Sequence, residues 1–560
     1  MSGPSTPTAL RPSTFAPLAV PEYRRLWGAF LVSNLGTFLQ LTAAPWLMLQ
    51  LTGSPLMVAL VTASMTLPRM LMTLPAGALA DVFDRRTMTA IGQGIAAVSV
   101  GIMAFLTWSD LLTPEVLLAL TFGLGLGTAI SIPALQTLIP DLVGDDLVAP
   151  ATALNSASFN VARAIGPALG GLFVAAGRAD IAFGANAISY LAVIGVLFTL
   201  PQLGSADPTT AGVWQSTRTG LRFVRFTRAV LMVVAVTAVF NLTAPAFQTL
   251  LPSVVSDDLA LGANGYGLLL GVFGAGSLTG ALTREWVRDK VRLILPLAIV
   301  ANGVVGMLFG FVARDPVSAA SLLFVAGLTW VWTVTTMNTI VQIVSPRWVR
   351  GRAMSVYLLA ALGMQPIAAV LAGTLAELVG SANAVGVLAI VTVVLGLVTT
   401  RIDMPVLGEV EMPSTPDDWS VPRHADRVPG SPVVVATTWR IDDDDLQEFF
   451  AVMRDLRRQR LRTGAQSWSL YRHAEDPLVF TEYFQVHDWA AHLAQHSHID
   501  AEAAAVIRRA RAMDTGDGPK TEHVARVDLT ADDALDLQAA AMEAHGHLHD
   551  ADGSIPVHGH

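Results

Sequence analysis

Long apolar stretches separated by short polar segments dominate the first four hundred residues. About twelve such stretches, each about twenty residues long, follow one another between residues 24 and 401, and about twenty apolar helical residues are what one bilayer crossing requires. A helix also satisfies its own backbone hydrogen bonds, which lipid does not do. The pattern therefore predicts an all-α membrane protein with twelve crossings, the first at 26–50 and the last at 382–400.

Composition agrees with this prediction. Of the 560 residues, 52% are hydrophobic and 14% are charged, whereas soluble proteins carry about 25% charged residues. The net charge of −9 argues against a nucleic-acid partner. The chain has no cysteine, which excludes disulfides and thiolate metal sites. Neither lysine follows a phosphate-binding glycine loop, so we expect no nucleotide-driven motor in this chain. We also expect no cofactor.

Basic residues are concentrated in alternate loops. They are Arg85 and Arg86 in the 2–3 loop, Arg218, Arg222, Arg225 and Arg228 in the 6–7 connector, Arg284, Arg288, Lys290 and Arg292 in the 8–9 loop, and Arg347, Arg350 and Arg352 in the 10–11 loop. The opposite loops hold little beyond Arg178 and Arg314. Cytoplasmic loops are the ones enriched in Lys and Arg. We therefore expect a plasma-membrane protein with both termini in the cytoplasm.

Two short motifs recur about two hundred residues apart. Thr42-Ala-Ala-Pro45 is echoed by Thr243-Ala-Pro245, and Gln136-Thr-Leu-Ile-Pro140 by Gln342-Ile-Val-Ser-Pro346. Two repeats around a site at the membrane midplane are typical of secondary transporters. The predicted order is a disordered N-terminus (1–23), a six-helix half (24–201), a connector (202–228) and a second six-helix half (229–401).

One loop carries a family signature. Gly77-Ala-Leu-Ala-Asp81-Val-Phe-Asp84-Arg85-Arg86 resembles the hallmark cytoplasmic loop of the major facilitator superfamily, Gly-x-Leu-x-Asp-x-x-x-Arg-Arg/Lys. The resemblance implies that superfamily's fold of twelve helices in two halves. It also implies that Asp81, Arg85 and Arg86 form a charge network that latches the halves at the cytoplasmic face.

A second motif lies in the fifth helix. Arg163-Ala-Ile-Gly166-Pro167-Ala-Leu-Gly170-Gly171 resembles the Gly-Pro-x-x-Gly-Gly signature of exporters in that superfamily, with Ala162 in place of the leading glycine. The run 136–171 is similar to the transmembrane secretion effector branch, which includes enterobactin exporters. The resemblance implies efflux, a conformational role for Gly166 and Pro167, and proton coupling, although no carboxylate lies clearly at a helix centre.

Polar residues within the apolar stretches are the candidate site. Arg163 shares a helix face with Ser156 and Asn160, and a charge at membrane depth is a functional candidate by default. It is expected to hold an anionic group of cargo, with bracing of helices as an equal alternative. The other cavity candidates are Asn34, Gln40, Gln136, Asn241, Gln248, Asn338 and Gln342, with Trp46, Trp330 and Trp332 as aromatic walls. For each polar one, hydrogen bonding between helices is the alternative.

The polar region after residue 401 predicts a separate domain. A proline-rich linker (402–432) precedes a β-α-β-β-α-β pattern over 433–530, which is ferredoxin-like, and a His-rich tail (531–560) is expected to be disordered. The domain resembles the dimeric α/β-barrel domains of antibiotic-biosynthesis monooxygenases, which implies a homodimer. His492 and His496 lie four residues apart, but two histidines alone are a weak metal signal, so we expect no metal.

Two functional hypotheses follow from these observations. The first is a secondary active transporter that exports small amphipathic molecules (a siderophore, antibiotic or drug) by alternating access with a proton counter-ion. Its partners are the small-molecule cargo and membrane lipid. The alternative is a membrane-tethered enzyme or sensor whose C-terminal domain acts on or binds a small molecule; turnover by that domain would favour it.

Overall fold

A computed structural model describes residues 13, 15–82, 84–200, 213–284, 291–346, 349–402, 432–497, 499, 501–516 and 518–525. The chain divides into two compact units, a helical bundle and a smaller unit that contains the C-terminal domain. The predictions for residues 1–12, 403–431 and 526–560 lie outside the described residues.

The N-terminal half of the bundle consists of six long helices. They are α1 (Pro21–Thr52), α2 (Pro55–Val82), α3 (Arg85–Trp108), α4 (Pro114–Val143), α5 (Val148–Ala175) and α6 (Ala179–Thr199). Their ends follow local chemistry. Helix α1 begins with Pro21 and is capped after Thr52 by Gly53, whose φ of 66° is the left-handed conformation that glycine tolerates. The Thr113 hydroxyl accepts a hydrogen bond from the Val116 amide and caps α4.

The connector contains a helix that the sequence analysis missed. Residues Val213–Phe226 form α7, whereas the interpretation of 202–228 was a polar connector. Leu221, Val224 and the neighbouring Phe223 give its last turns an apolar face, while Arg222 and Arg225 made the segment too polar to resemble a crossing. The segment is therefore an amphipathic helix.

The C-terminal half repeats the plan with one break. Its helices are α8 (Arg228–Thr243), α9 (Ala246–Ser253), α10 (Ala263–Leu282), α11 (Val291–Phe311), α12 (Pro316–Val344), α13 (Arg350–Val379) and α14 (Ser381–Thr399). The seventh crossing, expected over 229–254, is one span at Arg228–Asp258 that contains an unforeseen break. The helix is interrupted between Thr243 and Ala246 because Pro245 has no N–H to donate.

The bundle is a membrane-spanning fold. Eleven helical segments in the described part of the chain are long and apolar enough to cross a bilayer. Helix α1 is not one of the eleven; it carries Ser33, Asn34 and Gln40 and packs against α5 and α6 within the bundle. With α1 as the first crossing, the predicted twelve-helix fold in two halves is confirmed.

The two halves meet along two seams, α5 against α10 and α2 against α13. At the first seam, a Cβ on Gly267 would lie 2.5 Å from the carbonyl oxygen of Pro167, so only glycine permits this approach. Beside the second seam, the Ser54 hydroxyl donates a 2.6 Å hydrogen bond to the Glu377 carboxylate. This contact joins the loop after α1 to the end of α13.

The C-terminal domain has the predicted ferredoxin-like order. Strands β1 (Val433–Arg440), β2 (Ser467–Arg472), β3 (Val479–Val486) and β4 (Lys520–Ala525) alternate with α15 (Leu446–Thr463), α16 (Trp489–Ser497) and α17 (Ala501–Ala512). The sheet order is β2-β3-β1-β4 with antiparallel neighbours. Phe449 and Leu456 of α15 pack on Trp439 and Phe480 of the sheet, which buries one sheet face.

Candidate functional site in the central cavity

A cavity of about 210 Å³ lies between the two halves of the bundle. Seven helices contribute to its wall: α1, α2 and α5 from the N-terminal half, and α9, α10, α12 and α13 from the C-terminal half. Its polar residues are Thr62, Arg163, Gln248, Thr249 and Gln365. Its aromatic residues are Phe38, Tyr266, Phe273 and Trp330. The cavity thus combines a few polar groups with a mainly apolar wall, as small-molecule sites do.

Arg163 is the charged residue of the cavity wall. Its guanidinium carbon lies 5.1 Å from the centroid of the Phe273 ring, so a cation from one half contacts an aromatic face of the other. Among the described residues, no carboxylate forms an ion pair with Arg163. A guanidinium has five N–H donors in a fixed fork. The stacked group can therefore bind an acceptor on a molecule that enters the cavity.

Aromatic rings line part of the remaining wall, and Trp46 and Phe247 pack against them from outside the lining. Trp46 stacks on Tyr266 with centroids 5.6 Å apart and an interplanar angle of 18°. Phe247 lies 5.3 Å from Phe273 and 6.3 Å, edge-on, from Trp330. These contacts hold the rings of α9, α10 and α12 together. A ring-bearing or amphipathic molecule would find flat apolar surfaces beside the guanidinium.

The break in the seventh crossing positions Gln248. Pro245 ends the regular hydrogen bonding of α8, and its carbonyl accepts from the amides of Gln248 and Thr249 at the start of α9. Gln248 and Thr249 both line the cavity. The helix break therefore directs a pair of polar side chains into the space opposite Arg163.

Three N-terminal candidates lie elsewhere. The Asn186 side-chain amide donates a 2.5 Å hydrogen bond to Gln40, which is buried. The Asn34 amide donates to the Ser158 hydroxyl at 3.3 Å, and the Asn160 amide donates to the Ser156 carbonyl of its own helix at 2.8 Å. These bonds link α1 to α5 and α6 or stay within α5.

The remaining candidates are also outside the cavity lining. Asn241 is buried and donates to the Thr237 carbonyl at 2.9 Å. Gln342 donates to Asn338 at 2.6 Å along α12, and Gln136 is exposed. Of the predicted binding residues, the structure brings Arg163 and Gln248 together in this cavity.

The residues predicted to have conformational roles mainly contact other residues of the N-terminal half. Arg85 forms an ion pair with Asp141 at the end of α4. Arg86 donates to the Leu200 and Phe198 carbonyls, at 2.7 and 3.0 Å, and so caps the C-terminal end of α6. The side chain of Asp81 lies outside the described residues.

Gly166 and Pro167 lie where α5 contacts its neighbours. A Cβ on Gly166 would lie 2.5 Å from the Phe38 Cβ of α1, and Pro167 lines the cavity. Both residues therefore sit beside the candidate site, and their role in motion stays a prediction.

Several cavity residues were not found from the sequence. Thr62, Thr249, Tyr266, Phe273 and Gln365 line the wall. Gln365 precedes Pro366 in the middle of an apolar helix, and that pair was an available signal. Trp332, proposed as a wall residue, instead donates to the Thr283 hydroxyl at 3.1 Å.

The histidines of the C-terminal domain form an aromatic contact. The ring centroids of His492 and His523 are 4.8 Å apart, and Trp489 lies 5.2 and 5.3 Å from them. Burial lowers the pKa of His523 below its usual value of 6.5. No group of three histidine or carboxylate side chains with metal-binding geometry occurs among the residues that the structure describes.

Curated proteins from several bacteria resemble this chain. The multidrug efflux pump Tap of Mycolicibacterium fortuitum is 28% identical over 410 residues, which cover 69% of this chain and 97% of Tap. The staphyloferrin A transporter of Staphylococcus aureus is 22% identical, covering 65% of this chain and 92% of that protein. The enterobactin exporter EntS of Salmonella typhimurium is 24% identical, covering 60% and 80%.

Solved structures show the same fold. The nucleoside transporter NupG superposes with a TM-score of 0.57 at 15% identity, covering 68% of this chain and 98% of NupG. A bacterial homologue of the human lysosomal transporter Spinster gives 0.55 at 14% identity, covering 68% and 95%. At these identities the likeness establishes the fold alone.

A comparison with a family model assigns the chain to a specific family of transporters. The model described as transmembrane secretion effector matches residues 12–530, which include the bundle and the C-terminal domain. With its membrane-spanning helices and transporter relatives, the chain is a multi-pass membrane transporter and not an enzyme. The chain belongs to the transmembrane secretion effector family.

Proposed function

We propose that this chain exports small amphipathic molecules bearing an anionic group across the plasma membrane, and that the cargo binds in the cavity between the halves. The observation that carries the proposal is the position of Arg163, whose guanidinium lines the cavity and stacks on Phe273. Relatives named as a multidrug efflux pump and an enterobactin exporter support export as the direction.

The chemistry of the wall defines the cargo class. A cation at membrane depth is costly and is retained where it has a use. Arg163 can bind a carboxylate or catecholate oxygen through charge-assisted hydrogen bonds. Trp330, Tyr266 and Phe273 offer apolar surface to the rest of the molecule, and the Gln248 amide adds a neutral donor and acceptor.

Proton coupling is part of the proposal. No Asp or Glu lines the cavity as far as the structure describes it, so the proton step is assigned to a helix end. We propose that Glu377 is the carboxylate involved in proton coupling; it accepts the Ser54 hydrogen bond beside the α2–α13 seam.

Orientation and partners complete the proposal. The basic loops support cytoplasmic termini, and exposed apolar side chains such as Val98, Ile188 and Leu191 suit contact with lipid.

The C-terminal domain has an open sheet face, with a concavity of about 530 Å³ lined by Tyr471 and Tyr483 among others. We propose that a second copy covers this face in a homodimer.

The test compares efflux of the fluorescent probe carboxyfluorescein from cells that produce the wild type or the Arg163→Ala variant. We expect the variant to lose efflux of anionic carboxyfluorescein at normal protein level, and a protonophore to reproduce that loss in the wild type. Arg284→Gln is the matched control, because Arg284 donates to Thr339 outside the cavity. Unchanged carboxyfluorescein efflux in Arg163→Ala would contradict the proposal. Efflux that persists with the protonophore would contradict proton coupling alone.

A further inference from the structure

The end of the connector helix α7 belongs to the same compact unit as the C-terminal domain. That unit includes Leu221–Arg228. Arg222 donates a 2.8 Å hydrogen bond from Nη1 to the carbonyl oxygen of Ala465. Phe226 packs against an apolar cluster of Val433, Val435, Leu461, Ala465, Phe484 and Val486. A polar anchor and an apolar anchor, one helical turn apart, therefore hold this segment.

The polar anchor is at a site suited to a cation. Ala465 follows Gly464, which ends α15 with a φ of 135°, and the Ala465 amide bonds back to the Arg460 carbonyl at 2.9 Å. Ala465 lies two residues beyond the end of α15, close to the negative end of the dipole of that helix. The guanidinium of Arg222 supplies a donor and a positive charge there. Ala465 is fully buried, so an unpaired carbonyl at this position would be costly.

The anchored segment leads directly into the transport bundle. Phe226 ends α7, Thr227 follows, and α8 begins at Arg228. Helix α8 runs to the Pro245 break, beyond which Gln248 lines the cavity. One residue therefore separates the anchor from a helix of the C-terminal half.

The same connector helix is also tightly packed within the bundle. A Cβ on Gly220 would lie 2.8 Å from the Cβ of Arg352 and 2.9 Å from its carbonyl oxygen, near the start of α13. Little space exists there for the helix to shift without a movement of α13. Any restraint on α7 therefore bears on two helices of the C-terminal half, α8 and α13.

We propose that the C-terminal domain is an intramolecular clamp whose partner is residues 221–226 of its own chain. By holding the start of the seventh crossing, the clamp restrains the movement of the C-terminal half and sets the rate of transport. The effect on export rests on the proposed function, whereas the docking itself does not.

The docking test uses the full chain with a protease site inserted in the linker, within 403–431. After cleavage, we expect the wild-type domain to co-elute with the bundle on size exclusion, and Arg222→Ala combined with Phe226→Ala to release it. Arg222→Lys keeps a donor and should retain the domain. Arg228→Ala is the matched control, because Arg228 is exposed and lies just beyond the anchored segment. Release of the wild-type domain, or its retention by the double variant, would overturn the docking.

The functional test measures carboxyfluorescein efflux by the uncleaved double variant. We expect a change of about fivefold or more, the lower end of typical coupling between sites, while the melting of the released domain is unchanged. Equal efflux with a released domain would overturn the clamp's effect on transport. Absence of efflux from the wild type would instead contradict the proposed function, and the elution result would still stand.

Discussion

Arg163 and Phe273 contact each other across the two halves of the bundle, with the guanidinium 5.1 Å from the ring centroid. Directly beside this pair, a Cβ on Gly274 would lie 2.6 Å from the Arg163 carbonyl oxygen. We therefore expect cargo bound at Arg163 to contact the α5–α10 seam. A relative movement of the halves would change the surroundings of the cation and so link binding to the proposed conformational change.

The first prediction concerns the ring under the cation. Replacing Phe273 by Leu keeps an apolar side chain but removes the face that attracts the guanidinium. A cation–π contact is worth about 0.5–2 kcal/mol, so we expect a 2- to 30-fold loss of apparent cargo affinity, given tenfold per 1.4 kcal/mol. The KM for carboxyfluorescein efflux measures it. A KM equal to the wild-type value would show that the stacking does not position Arg163.

The second prediction tests the α5–α10 seam. Gly267→Ala places a methyl group 2.5 Å from the Pro167 carbonyl, which forces the helices apart. We expect export to fall at least tenfold while the protein still reaches the membrane. Gly184→Ala is the control, because a Cβ there has no neighbour within 4 Å. Efflux assays normalised to membrane protein provide the measurement, and equal export by both variants would exclude a tight seam.

The third prediction separates structural from binding roles. Gln40→Ala removes the buried acceptor of the Asn186 amide, and a buried donor left unsatisfied costs about 1–3 kcal/mol. We expect a lower melting temperature for the purified protein and unchanged export per folded molecule. Loss of export at an unchanged melting temperature would instead place Gln40 at the cargo site.

The fourth prediction concerns pH and the C-terminal domain. Burial beside Trp489 and His492 lowers the pKa of His523 below 6.5, so the unfolded chain takes up this proton more readily than the folded domain does. The contribution of neutral His523 to the free energy of unfolding is complete above pH 6.5, and it declines as the pH falls through the unfolded-state pKa.

Melting of the domain between pH 5 and pH 8 checks this sign. His523→Phe keeps a ring in the contact and cannot titrate, so we expect a smaller fall in melting temperature on acidification than in the wild type. His473→Gln, a histidine that directly follows β2, is the comparison. An identical pH dependence of the wild type and His523→Phe would contradict the assignment.

The sequence correctly predicted those features of the fold that depend on the polarity of many residues together. Twelve crossings and a ferredoxin-like tail depend on repeated patterns of polarity, which a single residue does not alter. Arg163 was found because a charge within an apolar helix is conspicuous. Gln248 was found as one of the polar residues within the apolar stretches.

The other residues of the cavity wall could not be identified from the sequence of single helices, because packing between helices determines which side chains face the cavity. Gln40 and Gln248 look equivalent in the sequence, yet Gln40 bonds to Asn186 while Gln248 lines the cavity. The difference is the rotation of each helix about its axis, which its packing partners determine. The break at Pro245 and the helix α7 also escaped detection, because hydropathy averages over both features.

The most direct test of the transport account is the accessibility of the cavity from the two sides of the membrane. The chain has no native cysteine, so Thr62→Cys places a single thiol in the cavity wall, and Val98→Cys, 62% exposed on α3, is the lipid-facing control. A membrane-impermeant maleimide is applied to intact cells and to inverted vesicles. We predict that Cys at position 62 reacts with the maleimide from both sides of the membrane. When cargo is added, the fraction labelled from one side should rise and the fraction labelled from the other side should fall. The control should react from neither side. Labelling of position 62 from one side alone under every condition would contradict alternating access at this cavity.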